Sequence, residues 1–342
     1  MTGGASRADS SRTRQASGAT STRLFALYAA LGMASAASLL AGLALGSYPI
    51  TLAQVLDTLV SPAAGVVHDI VWNLRAPRAF AAYACGGLLA LAGVLLQVLL
   101  RNALADPYVL GVSGGASLGA LLALTFGAGA AVMEGAAFAG AVGAIAIVFG
   151  LTYRSGDWNV YRLLLTGVVL SSGLSALISL TLVLAPSAQL KGMLFWLMGD
   201  LSQAMSVAPA WLILCVLTAA AIAASMRLDL LALGELKARA LGVAVGPLQL
   251  VVFGAAALAT VGAVILGGAI GFIGLMAPHA IRLAGVAHHR ALVPLSVMLG
   301  GSLLTIADTA ARTAWAPQQL PVGIFTALLG VPAMLLLLSR QR

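Results

Sequence analysis

Two side chains in this sequence could form the nucleophile and the base of a hydrolytic site. Ser113 lies in the glycine-rich run GVSGG at 111–115, and His279 follows Pro278 at the start of a helical pattern. A serine attacks an acyl carbon when a histidine within hydrogen-bonding distance takes its proton. The two residues belong to apolar segments five spans apart, and glycine runs also let membrane helices pack closely. We therefore favour helix packing, and we keep a membrane-embedded protease as a hypothesis that Ser113→Ala would test.

The sequence offers fewer candidate residues for binding a metal or a nucleotide. Cys85 and Cys215 lie inside different apolar segments, without the Cys and His spacing of a zinc site. His279 and His288 could serve as haem ligands, but we favour a structural role for both. The sequence contains no G-x-x-x-x-G-K-[ST] phosphate loop. We therefore expect no metal site and no cofactor in this chain, and we expect any ATP-Mg to be bound by a partner subunit.

The elements that must position these residues are long apolar segments. The chain has 342 residues, of which 61% are hydrophobic and 8% are charged. A run of about twenty apolar residues is long enough to cross a bilayer as a helix. The chain contains about ten such segments, one of them short, near 24–46, 79–100, 108–127, 129–152, 163–185, 207–226, 247–267, 272–286, 291–312 and 320–338. The pattern predicts an all-α, polytopic membrane protein that contacts the lipid bilayer.

The positions of Arg and Lys predict the orientation of these spans. With ten spans both termini lie on one side, and we place them in the cytoplasm, with residues 1–22 as a disordered tail rich in Ser, Thr, Gly and Arg. Fourteen of the 18 basic residues then face the cytoplasm. The other four are Arg75, Arg78, Lys191 and Arg312. This bias accounts for the net charge of +8 without nucleic acid.

The number of spans also predicts internal symmetry. Five spans before the middle and five after it indicate two inverted five-helix halves, because an odd repeat reverses its own topology. Segments 101–119 and 267–290 are both interrupted by Gly and Pro at similar places in the two halves. Such paired interruptions mark pathways and hinges in transporters.

One polar stretch, RLDLLALGELKARALGVAV at 227–245, interrupts the apolar segments. Charges are costly in hydrocarbon, so this stretch must lie at a membrane face. Residues 235–241 favour a short helix, in which Glu235 and Arg239 can pair. Leu236 belongs to a small apolar patch on that helix. The pattern indicates a surface helix that docks into the groove of a soluble partner, with an ordinary solvated loop as the alternative.

Several motifs in this chain follow one another in a characteristic order. They are LRAPR (74–78), RNALADPYVLGVSGGA (101–116), RLLLTGV (162–168), LALGELKARALGV (231–243), GFIGLMAPHAIRL (271–283), HHR (288–290), the step formed by Ala307, Asp308, Ala311 and Arg312, and LPVGIFTALLGVP (320–332). In this set the chain resembles the permease subunit of type II ABC importers for iron chelates, haem and cobalamin. The resemblance covers residues 24–340.

The resemblance implies that residues 23–342 form one transmembrane permease domain, which works as a homodimer around a central path. It implies two cytoplasmic ABC ATPase subunits below and a periplasmic substrate-binding protein above, in a bacterial inner membrane. The chain would then be a permease subunit and not an enzyme itself. The segment that matches the ATPase contact contains Leu233, Gly234, Glu235, Lys237, Ala238, Arg239, Leu241 and Gly242.

The resemblance also implies where the binding protein docks. Arg75, Arg78 and Arg312 match positions at which the family presents basic residues to acidic residues of that protein. Arginine suits this role because its guanidinium pairs with a carboxylate through two hydrogen bonds. The alternatives are contact with lipid headgroups or an ion pair within the chain, such as Arg312 with Asp308.

The cytoplasmic gate is implied at two further connections. One matches residues Asn102 to Leu104, and the other matches Val160 and Tyr161. Small hydroxyl residues are common in relatives at the second connection, so Val160 and Tyr161 depart from the family pattern. Bulky apolar side chains still close a path by packing and dewetting.

The sequence leaves the transported molecule open. A ferric siderophore, haem and cobalamin are all carried by this family, and we lean towards an iron chelate with cobalamin next. The rival class is an ion-coupled secondary transporter. Such carriers need acidic or histidine relays at mid-membrane, and this chain has few.

Overall fold

The computed structural model describes residues 5–60, 65–153, 160–202 and 207–339, without the side chains of 5–21, 109, 110, 153, 160, 337 and 338. These parts of the chain are helical throughout, apart from turns and connections. The fifteen α-helices described are α1 (Ala5–Ala44), α2 (Leu52–Val60), α3 (Val66–Asp69), α4 (Ala76–Leu99), α5 (Val112–Thr125), α6 (Ala130–Tyr153), α7 (Val160–Leu184), α8 (Ser187–Leu197), α9 (Ala208–Ala223), α10 (Ser225–Ala232), α11 (Glu235–Ala240), α12 (Val245–Gly267), α13 (Ile273–Leu283), α14 (His289–Thr313) and α15 (Val322–Ser339).

Two shorter helical pieces complete the path of the chain. A π-helix over Ile70–Arg75 joins α3 to α4, and a 3-10 helix over Pro107–Leu110 precedes α5. The 3-10 helix begins where the Asp106 side chain accepts a 2.9 Å hydrogen bond from the backbone N–H of Tyr108. It ends at Gly111, whose φ of 75° is a left-handed conformation suited to glycine.

The N-terminal helix extends beyond its apolar part, and the disordered tail over residues 1–22 stays a prediction. Helix α1 begins at Ala5 and runs without interruption into the apolar part of the chain, which is a candidate span over Thr22–Ala44. Nucleation is the costly step of helix formation, and the apolar span supplies that nucleus. The helix therefore propagates into polar sequence that has no apolar face of its own. Residues 1–4 lie outside the described residues.

Each of the ten predicted spans coincides with a helix, but fewer satisfy the length and composition of a membrane span. Within the described residues six helices do so, and a seventh is obtained if α9 and α10, bent by 66°, are counted as one. Helices α5 and α15 are apolar but shorter, and α13 has 11 residues. The chain is therefore an all-helical protein with at least six membrane-length helices, and ten spans in inverted halves remain a prediction.

Helix α4 forms the centre of the bundle. Of the 18 most apolar consecutive residues in the helical run Val66–Leu99, 94% are buried inside the structure. Helix α4 packs against α12, α13 and α14. The packing depends on glycine where backbones approach: a Cβ on Gly86 would collide with the carbonyl of Gly300, and one on Gly93 with that of Gly274. Small residues at such contacts are the usual means of bringing membrane helices together.

A second layer consists of α5, α6 and α7, which pack against one another at the side of the bundle. Helix α7 packs on one side only, and only 6% of the residues in its most apolar stretch are fully buried. The interruptions that precede α5 and α13 meet between the layers, where the Tyr108 hydroxyl accepts a 2.7 Å hydrogen bond from the N–H of Ile270. The two interrupted segments singled out in the sequence therefore contact each other.

Candidate functional site

The residues of functional interest lie at the two ends of α4. This helix has 24 residues, so its ends are about 36 Å apart. Arg75 and Arg78 stand at its start, close to the end of α14 that carries Arg312. Arg101 follows its last turn and approaches α11. We call these the arginine end and the α11 end.

At the α11 end, a six-residue helix projects between two glycines with positive φ. Gly234 has φ 104° and Gly242 has φ 83°, conformations that side chains rarely adopt, so the helix begins and ends sharply. Ala238 faces inward and is fully buried. Leu236 faces outward with 85% of its surface exposed, and Leu233 and Leu241 are also exposed. The helix thus presents three leucines that nothing in the described chain covers.

Charged groups anchor this helix to the bundle through Glu235. The side-chain amide of Gln249 on α12 donates a 3.0 Å hydrogen bond to Glu235 Oε1. The guanidiniums of Arg101 and Arg239 each approach the same carboxylate to 3.9 Å. Lys237 and Arg239 point to the outside, so α11 combines exposed leucines with exposed positive charge.

Helix α10 connects α11 to the rest of the bundle. Leu228 and Leu231 are buried, and α10 packs against α4 and α14. Asp229 accepts a 2.9 Å hydrogen bond from the backbone N–H of His289 and also contacts the imidazoles of His288 and His289. The carboxylate therefore caps the start of α14. A continuous series of helix contacts, through α10, therefore connects α11 to α4 and α14.

The predicted gate residues are split between two places. Asn102 folds the connection after α4 into a turn, since its side chain accepts a 2.9 Å hydrogen bond from the N–H of Leu104. Leu104 is half-exposed, and Arg101 beside it has a positive φ of 49°. Tyr161 lies exposed in the first turn of α7, which packs against the 3-10 helix after the Asn102 turn. The side chain of Val160 lies outside the described residues.

At the arginine end, one buried carboxylate holds two guanidiniums. Asp308 on α14 is 1% exposed and accepts hydrogen bonds from Arg78 Nε at 3.1 Å and Arg78 Nη2 at 2.9 Å. Its other side is 3.3 Å from Arg312 Nε. Arg78 also donates a 2.6 Å hydrogen bond to the side-chain oxygen of Gln319. The ion pair of Arg312 with Asp308, raised above as an alternative, is present in the structure.

Arg75 is buried nearby, and its guanidinium binds the carbonyls at the C-terminal end of α1. Its guanidinium donates to the carbonyls of Leu43 at 2.9 Å, Ala44 at 2.7 Å and Tyr48 at 2.5 Å. The last carbonyls of a helix lack partners within it, and a cation is favourable there. The three arginines border an open pocket of about 620 Å³ together with Leu201 and Ser202. Docking of a partner on them remains a prediction.

Sequence reasoning missed the side-chain pairs that join distant parts of the chain. These are Arg78 with Asp308, Arg101 with Glu235, Asp229 with His289, and Gln97 with Arg282. Only the unusual presence of each charge at the edge of an apolar segment could have drawn attention to them.

The positions of the residues concerned give little support to the hypotheses of a serine protease or a metal site. Ser113 lies on α5, which packs against α6 and α7, whereas His279 lies on α13, which packs against α4, α14 and α15. Cys85 is buried and Cys215 is exposed, both as free thiols. Among the residues whose positions are described, no group of three or more His, Cys, Asp or Glu could hold a metal ion.

The described chain is thus a bundle of membrane-length helices with a short exposed helix at one end, which is the architecture of a polytopic membrane protein. The family model described as the FecCD transport family matches residues 34–340. The chain therefore belongs to the FecCD transport family. Its curated relatives are named as permease proteins of ABC transporters or of cobalamin import systems.

Two of these relatives and one solved structure illustrate the similarity. The cobalamin import system permease protein BtuC of Halobacterium salinarum is 39% identical over 273 residues, covering 79% of this chain and 73% of the relative. The vitamin B12 import system permease protein BtuC of Klebsiella pneumoniae is 37% identical over 275 residues, covering 80% and 83%. A transporter assigned to the metal-chelate ABC type, solved in an inward-facing conformation, is 29% identical with a TM-score of 0.82, covering 92% of this chain and 98% of that one.

Proposed function

We propose that this chain is the permease subunit of a binding-protein-dependent ABC importer, and that a partner ATPase drives it through α11. The observation that carries the proposal is the exposed α11, with Leu236 uncovered and Glu235 tied to Arg101. A short helix with exposed leucines and positive charges suits a groove on a soluble partner. ATP-Mg would be bound by that partner, because this sequence has no phosphate loop.

The route from α11 to the gate supports alternating access. Arg101 precedes Asn102 directly, so the Glu235 carboxylate acts on the connection that carries the first gate segment. The second gate segment begins α7, which packs against the 3-10 helix after this connection. Movement of α11 by the ATPase would therefore reach both segments. Leu104 and Tyr161, which are exposed, would close the path by packing and dewetting.

Helix α7 is our candidate for the lining of the path. It is apolar and largely unburied on the side away from α5 and α6, yet it carries the exposed Ser172 and Ser179 and the half-buried Thr181. Each of these hydroxyls donates to a carbonyl four residues earlier, so none needs a partner from another helix. A surface of this kind tolerates both water and apolar solutes. Two copies of the chain facing each other across α7 would form the homodimer with a central path.

The arginine end is our candidate for the docking of the periplasmic binding protein. Arg78 and Arg312 share one carboxylate, Asp308, whereas Arg75 is bound only by backbone carbonyls, so the group retains an excess of positive charge beside an open pocket. An acidic side chain from a partner would compensate that excess. This assignment places the arginine end outside and both termini in the cytoplasm of a bacterium with an inner membrane.

For the substrate we propose a bulky metal chelate or corrinoid: cobalamin, a ferric siderophore or haem. Two relatives are named for cobalamin import, and a structural relative for metal chelates. A wide path with few ionic groups suits such a solute. The alternative of an ion-coupled carrier is not favoured, since it would need titratable relays at mid-membrane.

Capture of this chain from its native membrane in mild detergent tests the proposal. We expect an ABC ATPase and a periplasmic binding protein to be recovered with it. Titration of that binding protein with cobalamin, haem and ferric siderophores would then identify the cargo. Uptake should be sensitive to vanadate; collapse of vanadate-resistant uptake by a protonophore would instead support the ion-coupled carrier.

A further inference from the structure

We infer that a cavity between α1, α10 and the turn joining α13 to α14 binds the headgroup of an anionic phospholipid. The cavity has a volume of about 840 Å³ and opens to the surface at the α11 end. Its size lies in the range of small-molecule sites. Arg23 and Arg290 supply its positive charge, while Leu27, Met226 and Pro294 supply part of its apolar wall.

The two arginines lie where the apolar parts of α1 and α14 begin. Arg23 is the second residue of the candidate span Thr22–Ala44, and Arg290 is the second residue of the candidate span His289–Thr313. Both guanidiniums therefore stand at the boundary between hydrocarbon and water, which is where phospholipid phosphates lie. A soluble anion would not require arginines from two separate helices at this depth.

The charge of this cavity is not compensated within the described chain. Among the side chains whose positions are described, no carboxylate lies within 4.0 Å of the guanidinium of Arg23 or Arg290. Asp229 also borders the cavity, but it caps α14 and contacts His288 and His289. Arg23 and Arg290 thus remain available to an anion from outside the chain.

The walls of the cavity favour a lipid over free phosphate. Leu24, Leu27, Ile222 and Pro294 form an apolar surface below the arginines, and Met226 is three-quarters exposed beside them. This surface continues α1, whose apolar window is only 11% buried and faces outward. An acyl chain would cover it, whereas inorganic phosphate would not. Basic pockets between membrane helices are known to hold anionic headgroups in this way.

The experiment compares lipid binding by native mass spectrometry, on the full chain extracted with its bound subunits. The probes are phosphatidylglycerol and phosphatidylcholine with identical acyl chains. We expect one tightly retained phosphatidylglycerol per copy of this chain and no comparable phosphatidylcholine. Removing both charges in Arg23→Gln with Arg290→Gln should weaken phosphatidylglycerol binding about thirtyfold, because each surface cation contributes about a factor of five.

A matched control removes two other cations at the same end. Arg227→Gln with Lys237→Gln changes the net charge equally, but neither residue borders the cavity. This variant should leave the binding unchanged; an equal loss would show that only the general charge of the surface attracts the lipid, and would overturn the inference. Ala287→Trp keeps both arginines and fills the cavity, so it should also weaken binding.

Two further results would contradict the inference. One is equal retention of phosphatidylcholine and phosphatidylglycerol. The other is displacement of phosphatidylglycerol by inorganic phosphate beyond the effect of sodium chloride at equal ionic strength, which would indicate a phosphate site without a lipid component. These results concern only the lipid, so they are separate from the recovery of an ATPase that tests the proposed function.

Discussion

At the arginine end, three guanidiniums and one carboxylate are withdrawn into the bundle, where Asp308 is 1% exposed. At the α11 end, by contrast, Lys237 and Arg239 stand in solvent and Leu236 is 85% exposed. The arginine end therefore pairs part of its charge internally and holds α1, α4 and α14 together, while it keeps an excess of positive charge. The α11 end leaves both charge and apolar surface uncovered. The difference indicates that the first end is built for rigidity and the second for contact with a moving partner.

The largest effect that the comparison predicts is on folding at the arginine end. Asp308→Asn leaves Arg78 and Arg312 buried beside a neutral group, and breaking a buried ion pair in this way costs about 3–5 kcal/mol. We expect little folded protein in the membrane and a strongly lowered melting temperature in detergent. The control is Asp57→Asn, since Asp57 is an exposed carboxylate on α2. A native melting temperature for Asp308→Asn would refute the structural role of the cluster.

The next effect concerns contact at the α11 end. Leu236→Asp should leave the fold intact but weaken ATPase association about thirtyfold, the loss typical of an interface residue worth 2 kcal/mol. The association is measured by substrate-stimulated ATP hydrolysis in proteoliposomes as the ATPase is titrated. Phe126→Asp is the matched control. Phe126 is equally exposed at 85% and directly follows the last residue of α5, away from α11 in the sequence. Equal effects of the two substitutions would argue against a specific surface.

A smaller effect should distinguish the two ends by their response to salt. If acidic residues of a binding protein dock at the arginines, raising NaCl from about 0.05 M to 0.5 M should weaken that association about tenfold, because salt screens the attraction between carboxylates in solvent and the arginines that border the open pocket. Association of the ATPase through leucines should weaken less than about threefold. Surface plasmon resonance on immobilised permease measures both. A salt-insensitive binding protein would exclude the three arginines as its main contact.

The smallest effect concerns the link between α11 and the gate. Arg101→Glu or Glu235→Arg should lower transport a few-fold, with little change in stability, because a partly exposed pair contributes about 0.2–1 kcal/mol. The double variant Arg101→Glu with Glu235→Arg restores opposite charges and should recover transport. Failure of the exchange to recover transport, with ATPase association intact, would remove this pair from the coupling route.

The sequence predicted features that depend on neighbouring residues. The helix expected over 235–241 is found over Glu235–Ala240, bounded by the glycine at 242, since helix propensity and stop signals are local. The apolar segments likewise coincide with helices, because burial in lipid requires long apolar runs.

Contacts between distant segments could not be predicted in the same way. Arg78 and Asp308 are 230 positions apart, and nothing in either neighbourhood specifies the partner. The pairing arises because α4 and α14 are brought together by Gly86 and Gly300. The prediction that Arg78 faces a binding protein rested on the family resemblance; it allowed for an ion pair within the chain but did not identify Asp308 as the partner of Arg78.

Cross-linking from α11 tests the central claim most directly. A single reactive thiol is placed by Leu236→Cys in a Cys215→Ser background, in which Cys85 stays buried. A short bis-maleimide is applied to native membranes, and the adducts are identified by mass spectrometry. We predict an adduct with an ATPase that carries a phosphate loop, and no such adduct from Phe126→Cys. Absence of an ATPase adduct at Leu236→Cys, while other membrane proteins are captured equally from both positions, would contradict the account.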